Sequence, residues 1–292
     1  SDHCAQLDAD TVFEVGNYGT VTTSRVEWLF VADPVGGLAE LNLDEWPGAE
    51  RERAGIKRTP LSWDDLAEPR GRVDKRLRSV GEQDVSTPEF YSLRLYTGPL
   101  FVKYNGVLRA LGTKIPPMVR RFEELCFDNC YATTLHVLCS AILKLGKVSK
   151  SEMVYRAPGG ALPASFWCKS PDGCQGGLEL AFMSTTTAKK EAMAYARRAP
   201  GMILFELQQG MVARGASISW LSQYPNEEEI LFPPFTALEV VGTRVEGAVV
   251  IIQLRPAMKE PGTLKTGVQD IENFAAERGR LRGEEMERQK AA

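Results

Sequence analysis

Apolar and polar positions along the chain change period twice. Near the start, residues 11–15 and 21–31 are rich in β-branched and aromatic side chains on either side of Gly16-Asn17-Tyr18-Gly19, a pattern that predicts two strands. After Asp33-Pro34 and Gly36-Gly37 the chain turns polar. From about Ser86 the spacing becomes helical. Pro99 is placed as a first-turn proline, and Leu100, Tyr104, Val107, Leu108 and Leu111 follow at three- and four-residue intervals. Pro116-Pro117 opens a further helix through Glu124. Another puts Leu135, Leu138, Cys139, Ile142 and Leu145 on one stripe, with Gly146 as its C-cap. Beyond residue 150 the pattern is that of strands, at 153–156, 178–184, 202–207, 229–232, 238–241 and 249–254. One helix, at 188–198, interrupts them, with Thr187 as its expected N-cap.

Helices followed by strands are an α+β order rather than the alternation of a doubly wound parallel sheet. No G-x-G-x-x-G follows a strand and no G-x4-G-K-[ST] occurs, so a bound nucleotide is not expected in a Rossmann or P-loop cradle. Three regions are expected: 1–85 as a flanking segment with strands and a basic linker, 86–256 as the main domain, and 257–292 as a charged, flexible tail.

Composition narrows the chemistry. With 43% hydrophobic and 25% charged residues in 292, the chain reads as a soluble globular protein without a membrane span. The net charge of −3 gives no general reason to expect nucleic acid as a partner. Residues 51–78 hold nine Lys/Arg against five acids, read as a solvated face or linker before a docking patch. Only His3 and His136 are histidines, so chemistry should run on carboxylates, arginines and hydroxyls. His136 and Cys139, on one helix, are expected to be packing residues rather than a catalytic pair. The six cysteines form no C-x2-C pair, which argues against a zinc ribbon. Cys168 and Cys174 flank a polar loop and could bridge it in a secreted chain; otherwise a cytoplasmic location or a place within a longer protein is expected. The chain starts at Ser1 with no charged-then-apolar leader, so a signal peptide is expected to be absent or removed, and the missing Met is read as the mark of a fragment.

Three short features carry candidate chemistry. Val154-Tyr155-Arg156 ends an apolar strand in a guanidinium, Phe182-Met183-Ser184-Thr185-Thr186-Thr187 closes a strand in hydroxyls, and Glu227-Glu228-Glu229 runs straight into Ile230-Leu231-Phe232-Pro233-Pro234. In a strand, residues two apart share a face, so Glu227 and Glu229 should point together and Glu228 away. Singly, each has a bland reading: a surface arginine, a helix cap, a solvated acidic turn.

In this order the set resembles the arginine–serine–glutamate class of mono-ADP-ribosyltransferases, which includes bacterial toxins and vertebrate ecto-enzymes. The resemblance covers about residues 90–255, with Tyr96-Thr97-Gly98 and Tyr104-Asn105-Gly106-Val107-Leu108-Arg109 upstream. It implies a helical N-terminal part packed on a mixed, mainly antiparallel two-sheet β core, with the catalytic domain at 86–256. It also implies NAD as co-substrate, no metal, and an arginine-bearing acceptor protein. Carried over residue by residue, Arg156 would hold the NAD pyrophosphate, and the Ala157 main chain, where the family usually has glycine, would hold the nicotinamide amide. Ser184, Thr185 and Thr186 would line the cofactor site, with Ser184 orienting the catalytic glutamate. Glu229 would bind the nicotinamide ribose and Glu227 would deprotonate the acceptor. The loop 216–226, with Trp220 and Tyr224, would meet the acceptor, where Tyr224 could stack on a guanidinium. Tyr195 is a further candidate near the nicotinamide. The alternatives are an NAD glycohydrolase and an inactive NAD- or ADP-ribose-binding module.

Overall fold

The computed structural model describes residues 21–36, 58–113, 115–126, 129–169, 171, 173, 175–211, 213–224 and 226–257. The strand expected at 11–15, Cys174 and the tail beyond 257 lie outside the described residues. In chain order the helices are α1 (Val21–Ala32), α2 (Ala67–Ser79), α3 (Thr87–Leu95), α4 (Phe101–Thr113), α5 (Pro116–Cys126) and α6 (Ala132–Gly146). Then come β1 (Met153–Arg156), β2 (Gly176–Glu179), β3 (Met183–Thr186), α7 (Lys189–Arg198), β4 (Ile203–Gln208), β5 (Ala216–Ser217), β6 (Glu229–Phe232), β7 (Thr236–Glu246) and β8 (Val249–Ala257). This is the α+β order expected. The described residues fall into two compact units, one within 21–36, 58–67 and 87–138, the other within 68–86 and 139–257.

In the first unit, the stretch expected as a strand at 21–31 is instead helix α1. Its β-branched residues give only a weak local preference, and packing decides the outcome. Val26 and Phe30, one helical turn apart, are both buried. Phe30 lies edge-on to Trp63 at 5.9 Å, Trp63 packs on Tyr91 at 4.3 Å, and the Trp63 indole donates to the Val31 carbonyl at 2.9 Å. Between α3 and α4 a wide turn, Tyr96–Leu100, breaks at Gly98, and Pro99 lies within it ahead of α4 rather than in the helix's first turn. The stripe of Leu100, Tyr104, Val107 and Leu108 is buried as its spacing predicts.

The same unit buries a carboxylate. Glu27 is 3% exposed and accepts hydrogen bonds from the Tyr104 hydroxyl at 2.6 Å and the Thr134 hydroxyl at 2.9 Å. Burial pushes its pKa up to about 7, against the opposing pull of those two bonds and of the Lys103 charge. A raised carboxyl pKa means that the folded chain holds the proton more tightly. The contribution is therefore fully present below the ordinary value of 4.5 and is lost as pH rises through about 7. Glu27→Gln should remove this slope. Between pH 5 and pH 8 the wild type is expected to lose up to about 3 kcal/mol that the variant keeps, read by denaturant titration at both pH values. Parallel losses in the two proteins would refute the assignment.

In the second unit, the strands follow the order β2-β7-β8-β4-β1-β3-β6-β5. Neighbours are antiparallel except β4 and β8, so the mixed, mainly antiparallel character holds. The two-sheet core implied by the resemblance is, in its hydrogen bonding, one continuous eight-stranded order. One junction in it is narrow: β1 and β3 share a single register pair, Tyr155↔Thr186, whereas β1 and β4 share four. Expected strand 178–184 is really two strands, since β2 and β3 are separated by the Leu180–Phe182 connection. One sheet face buries Val154, Met183, Phe205, Ile230, Phe232 and Leu254; on the other, Leu204, Val249 and Ile251 pack against Ala192, Met193 and Ala196 of α7.

The basic stretch has a structural use. In α2, Arg78 grips Asp84 through two bonds of 2.6 and 2.9 Å, and Arg76 donates to the Val148 carbonyl. Asp74 accepts the Val85 amide at 2.8 Å, Lys144 donates to the Asp84 carbonyl at 2.9 Å, and Lys147 pairs with Glu82. These charges fasten α2 to its following turn and to the C-terminal end of α6, which favours the bland reading of the described part of the run.

Candidate active site

The three motifs converge on the narrow junction between β1 and β3. Register places Thr186 opposite Glu229 across β3–β6, Ser184 opposite Leu231, and Thr186 opposite Tyr155 on β1. Directly paired residues project on one face, so Ser184, Thr186 and Glu229 share a face. Thr185 projects on the other. It is 3% exposed and donates its hydroxyl to the Ile230 carbonyl at 2.7 Å. Its observed use is thus to lock β3 to β6, and burial takes its side chain out of the open hydroxyl row.

Arg156 crosses the junction. Its Nη1 donates to the Ser184 carbonyl at 2.7 Å, at the point where the β1–β3 ladder is only one residue pair long. A guanidinium has five N–H donors, so a bond from one nitrogen leaves capacity for bidentate pairing with an anion. Arg156 is half-buried, as are Ala157, Ser184 and Thr186. Glu229 begins β6, every residue of which is buried; its own exposure is 8%. Pro233 and Pro234 end that strand, because neither can donate to a ladder, and the Thr236 hydroxyl closes the turn onto the Pro233 carbonyl at 2.7 Å.

Ahead of β6, the three acids differ in setting. Glu227 is half-exposed and its amide donates to the Tyr224 carbonyl at 3.0 Å. Glu228 is exposed and its carboxylate accepts the Thr187 hydroxyl. That bond corrects the expected cap. Helix α7 starts after Ala188 without a side-chain cap, the Ala188 amide is taken by Thr186 Oγ1 at 3.1 Å, and the Thr187 hydroxyl turns to the acidic loop instead.

Other candidates are placed less directly. Tyr224 is 3% exposed, so its ring would have to turn outward before it could stack on a guanidinium, while Trp220 in the same loop is already half-exposed. Tyr195 is 65% exposed on α7, so it is not the core residue that its helical position allowed. His136 is exposed, and burial pushes the Cys139 thiol up to about 12, which keeps it protonated and unreactive at neutral pH. Cys168 is an exposed free thiol.

Two supporting groups carry no signal in the sequence. The Gln209 amide bridges the loop base, donating to the Glu152 carbonyl at 2.9 Å and accepting the Gly215 amide at 2.9 Å. Gly215 itself has no room for a side chain, since a Cβ would lie 2.7 Å from Ile230 Cγ2 and 3.0 Å from the Leu231 carbonyl oxygen. A lone Gln and Gly have no pattern, so only the fold shows their use.

The profile of the NAD:arginine ADP-ribosyltransferase family matches residues 53–261, well over half of the chain. The chain belongs to this family. Its chemistry is accordingly NAD-dependent transfer of ADP-ribose, and the match begins upstream of residue 90, where the recognisable motifs start. Among solved structures the chain is similar to the ADP-ribosyltransferase HopU1 of Pseudomonas syringae pv. Tomato DC3000, with 24% identity, a TM-score of 0.46, and coverage of 68% of this chain and 88% of that one. It is also similar to the Vis toxin of Vibrio splendidus, at 16% identity, TM-score 0.42, and 71% and 92% coverage. Exoenzyme S of Pseudomonas aeruginosa, solved with human 14-3-3 protein beta and carba-NAD, gives 19%, 0.43, and 70% and 94%. No curated protein matches the chain significantly. Among the described residues no helix is long and apolar enough to cross a membrane.

Proposed function

We propose that this ADP-ribosyltransferase transfers ADP-ribose from NAD to an arginine side chain of an acceptor protein and releases nicotinamide. The observation that carries the reading is the pairing of a half-exposed Glu227 with a buried Glu229 two residues on, beside the Ser184 and Thr186 hydroxyls. In this reading Arg156 pairs with the pyrophosphate, and the Ala157 main chain holds the nicotinamide amide. The Ser184 and Thr186 face positions the ribose and the carboxylate. The bond from the anomeric carbon to the nicotinamide nitrogen breaks, and its electron pair leaves with nicotinamide. Glu229 then stabilises the positive charge left on the sugar, as a fixed carboxylate does at an oxocarbenium-like centre. A guanidinium is protonated at neutral pH and cannot attack until a base takes its proton, and the accessible Glu227 fits that task. Trp220, or Tyr224 once turned outward, would face the acceptor.

The test is mass spectrometry of the purified chain with NAD, with and without agmatine as a free guanidinium acceptor. Nicotinamide release together with an ADP-ribosyl-agmatine adduct is the expected result. Release with no adduct would make the chain an NAD glycohydrolase. NAD affinity by calorimetry with no release over hours would make it a binding module.

A further inference from the structure

The acidic loop is tied to the end of β3 by a side-chain bond that continues the strand ladder. The β3–β6 register runs Met183↔Phe232, Ser184↔Leu231, Thr185↔Ile230 and Thr186↔Glu229. The next pair in that series is Thr187 with Glu228, one step past the last backbone pair. Those two residues are joined, with the Thr187 hydroxyl donating to the Glu228 carboxylate. The chain bends at Thr187, just past β3, so its hydroxyl meets Glu228 in the loop immediately ahead of β6. Residues two apart in an extended run share a face, so a loop held straight at Glu228 would bring Glu227 to the face of Glu229. The loop base is separately built: Gln209 holds Gly215, Ser149 Oγ accepts the Ser217 amide at 2.8 Å, and the Ile218 amide donates to the Glu229 carbonyl at 3.1 Å.

We propose that Thr187 is a positioning residue for the transfer step: by holding Glu228 it keeps the chain extended up to Glu227 and so aims that carboxylate at the acceptor. The inference rests on the arginine-transfer reading above and adds a residue outside its cofactor and acceptor sets. Thr187 is a half-buried position and Glu228 an exposed one, so the bond matters little for the fold as a whole. Its effect should be local. Losing one hydrogen bond to an ionised group lets Glu227 spend most of its time misaligned, worth about three- to tenfold in the step that uses it.

The experiment compares Thr187→Val, Thr187→Ser and Glu228→Leu with wild type, reading agmatine adduct formation and NAD hydrolysis separately, with melting temperatures as a folding control. Thr187→Val and Glu228→Leu are expected to lower adduct formation by about three- to tenfold with hydrolysis and melting temperature near wild type, and Thr187→Ser to restore it. In a Glu227→Gln background, Thr187→Val should add no further loss, since both changes then act through one group. Wild-type adduct formation that Thr187→Val leaves unchanged, or a variant that loses hydrolysis in equal measure, overturns the positioning role alone. A wild type that releases nicotinamide but forms no adduct overturns this role and the arginine reading together.

Discussion

Replacing Glu229 by Gln is expected to lower nicotinamide release by about a thousandfold, the loss typical of removing one preorganised charge-stabilising group from an enzyme site. The expectation follows from position. Glu229 is the first residue of a wholly buried strand, opposite Thr186 and on the same face as Ser184. A carboxylate fixed there and 8% exposed acts on charge developing nearby with little screening by water. Gln keeps the volume and the hydrogen-bonding shape and removes only the charge, so thermal unfolding should stay close to wild type. Glu229→Ala should abolish release as well, with an added packing cost. Release by Glu229→Gln within a few-fold of wild type would remove Glu229 from the chemistry. A large fall in melting temperature would mean that the group is needed for β6 itself, and activity would then have to be judged on the folded fraction.

The motifs were legible in the sequence because each sits where a strand ends. Arg156 closes β1, the hydroxyls close β3 and Glu229 opens β6, and those boundaries follow from apolar runs bounded by polar residues and prolines. The pairing of β1 with β3 and of β3 with β6 was not legible, because non-local register leaves no periodic trace. The bonds that depend on it were hidden as well: Arg156 to the Ser184 carbonyl, Thr185 to the Ile230 carbonyl, and Thr187 to Glu228. Local propensity misread α1 for a similar reason. Val21 to Ala32 favours a strand on composition, yet Val26, Glu27 and Phe30 are buried on helical spacing by partners more than thirty residues away. The basic run at 51–78 shows the opposite case. Its charge excess was plain, but only the fold shows Arg76 and Arg78 engaged with Val148 and Asp84.

Glu227→Gln should separate the two outcomes that Glu229 cannot. Both transfer and hydrolysis need the nicotinamide bond to break, so loss of Glu229 is expected to stop both. Only the guanidinium acceptor needs its proton removed at the moment of attack, because water can meet the same electrophile without so strong a base. Glu227→Gln is therefore expected to lower agmatine adduct formation by about a hundredfold, the low end of what a positioned general base contributes, while NAD hydrolysis falls much less. The half-exposed setting of Glu227 suits this division, since an acceptor delivered by another protein must reach it from solvent. Raising the pH should not rescue the variant within the range where the fold survives, because the guanidinium stays protonated throughout it. Equal loss of adduct and hydrolysis would take Glu227 out of the acceptor role. Thr187 would then lose the group through which it was proposed to act, whereas a selective loss would leave Thr187→Val as the weaker version of the same defect.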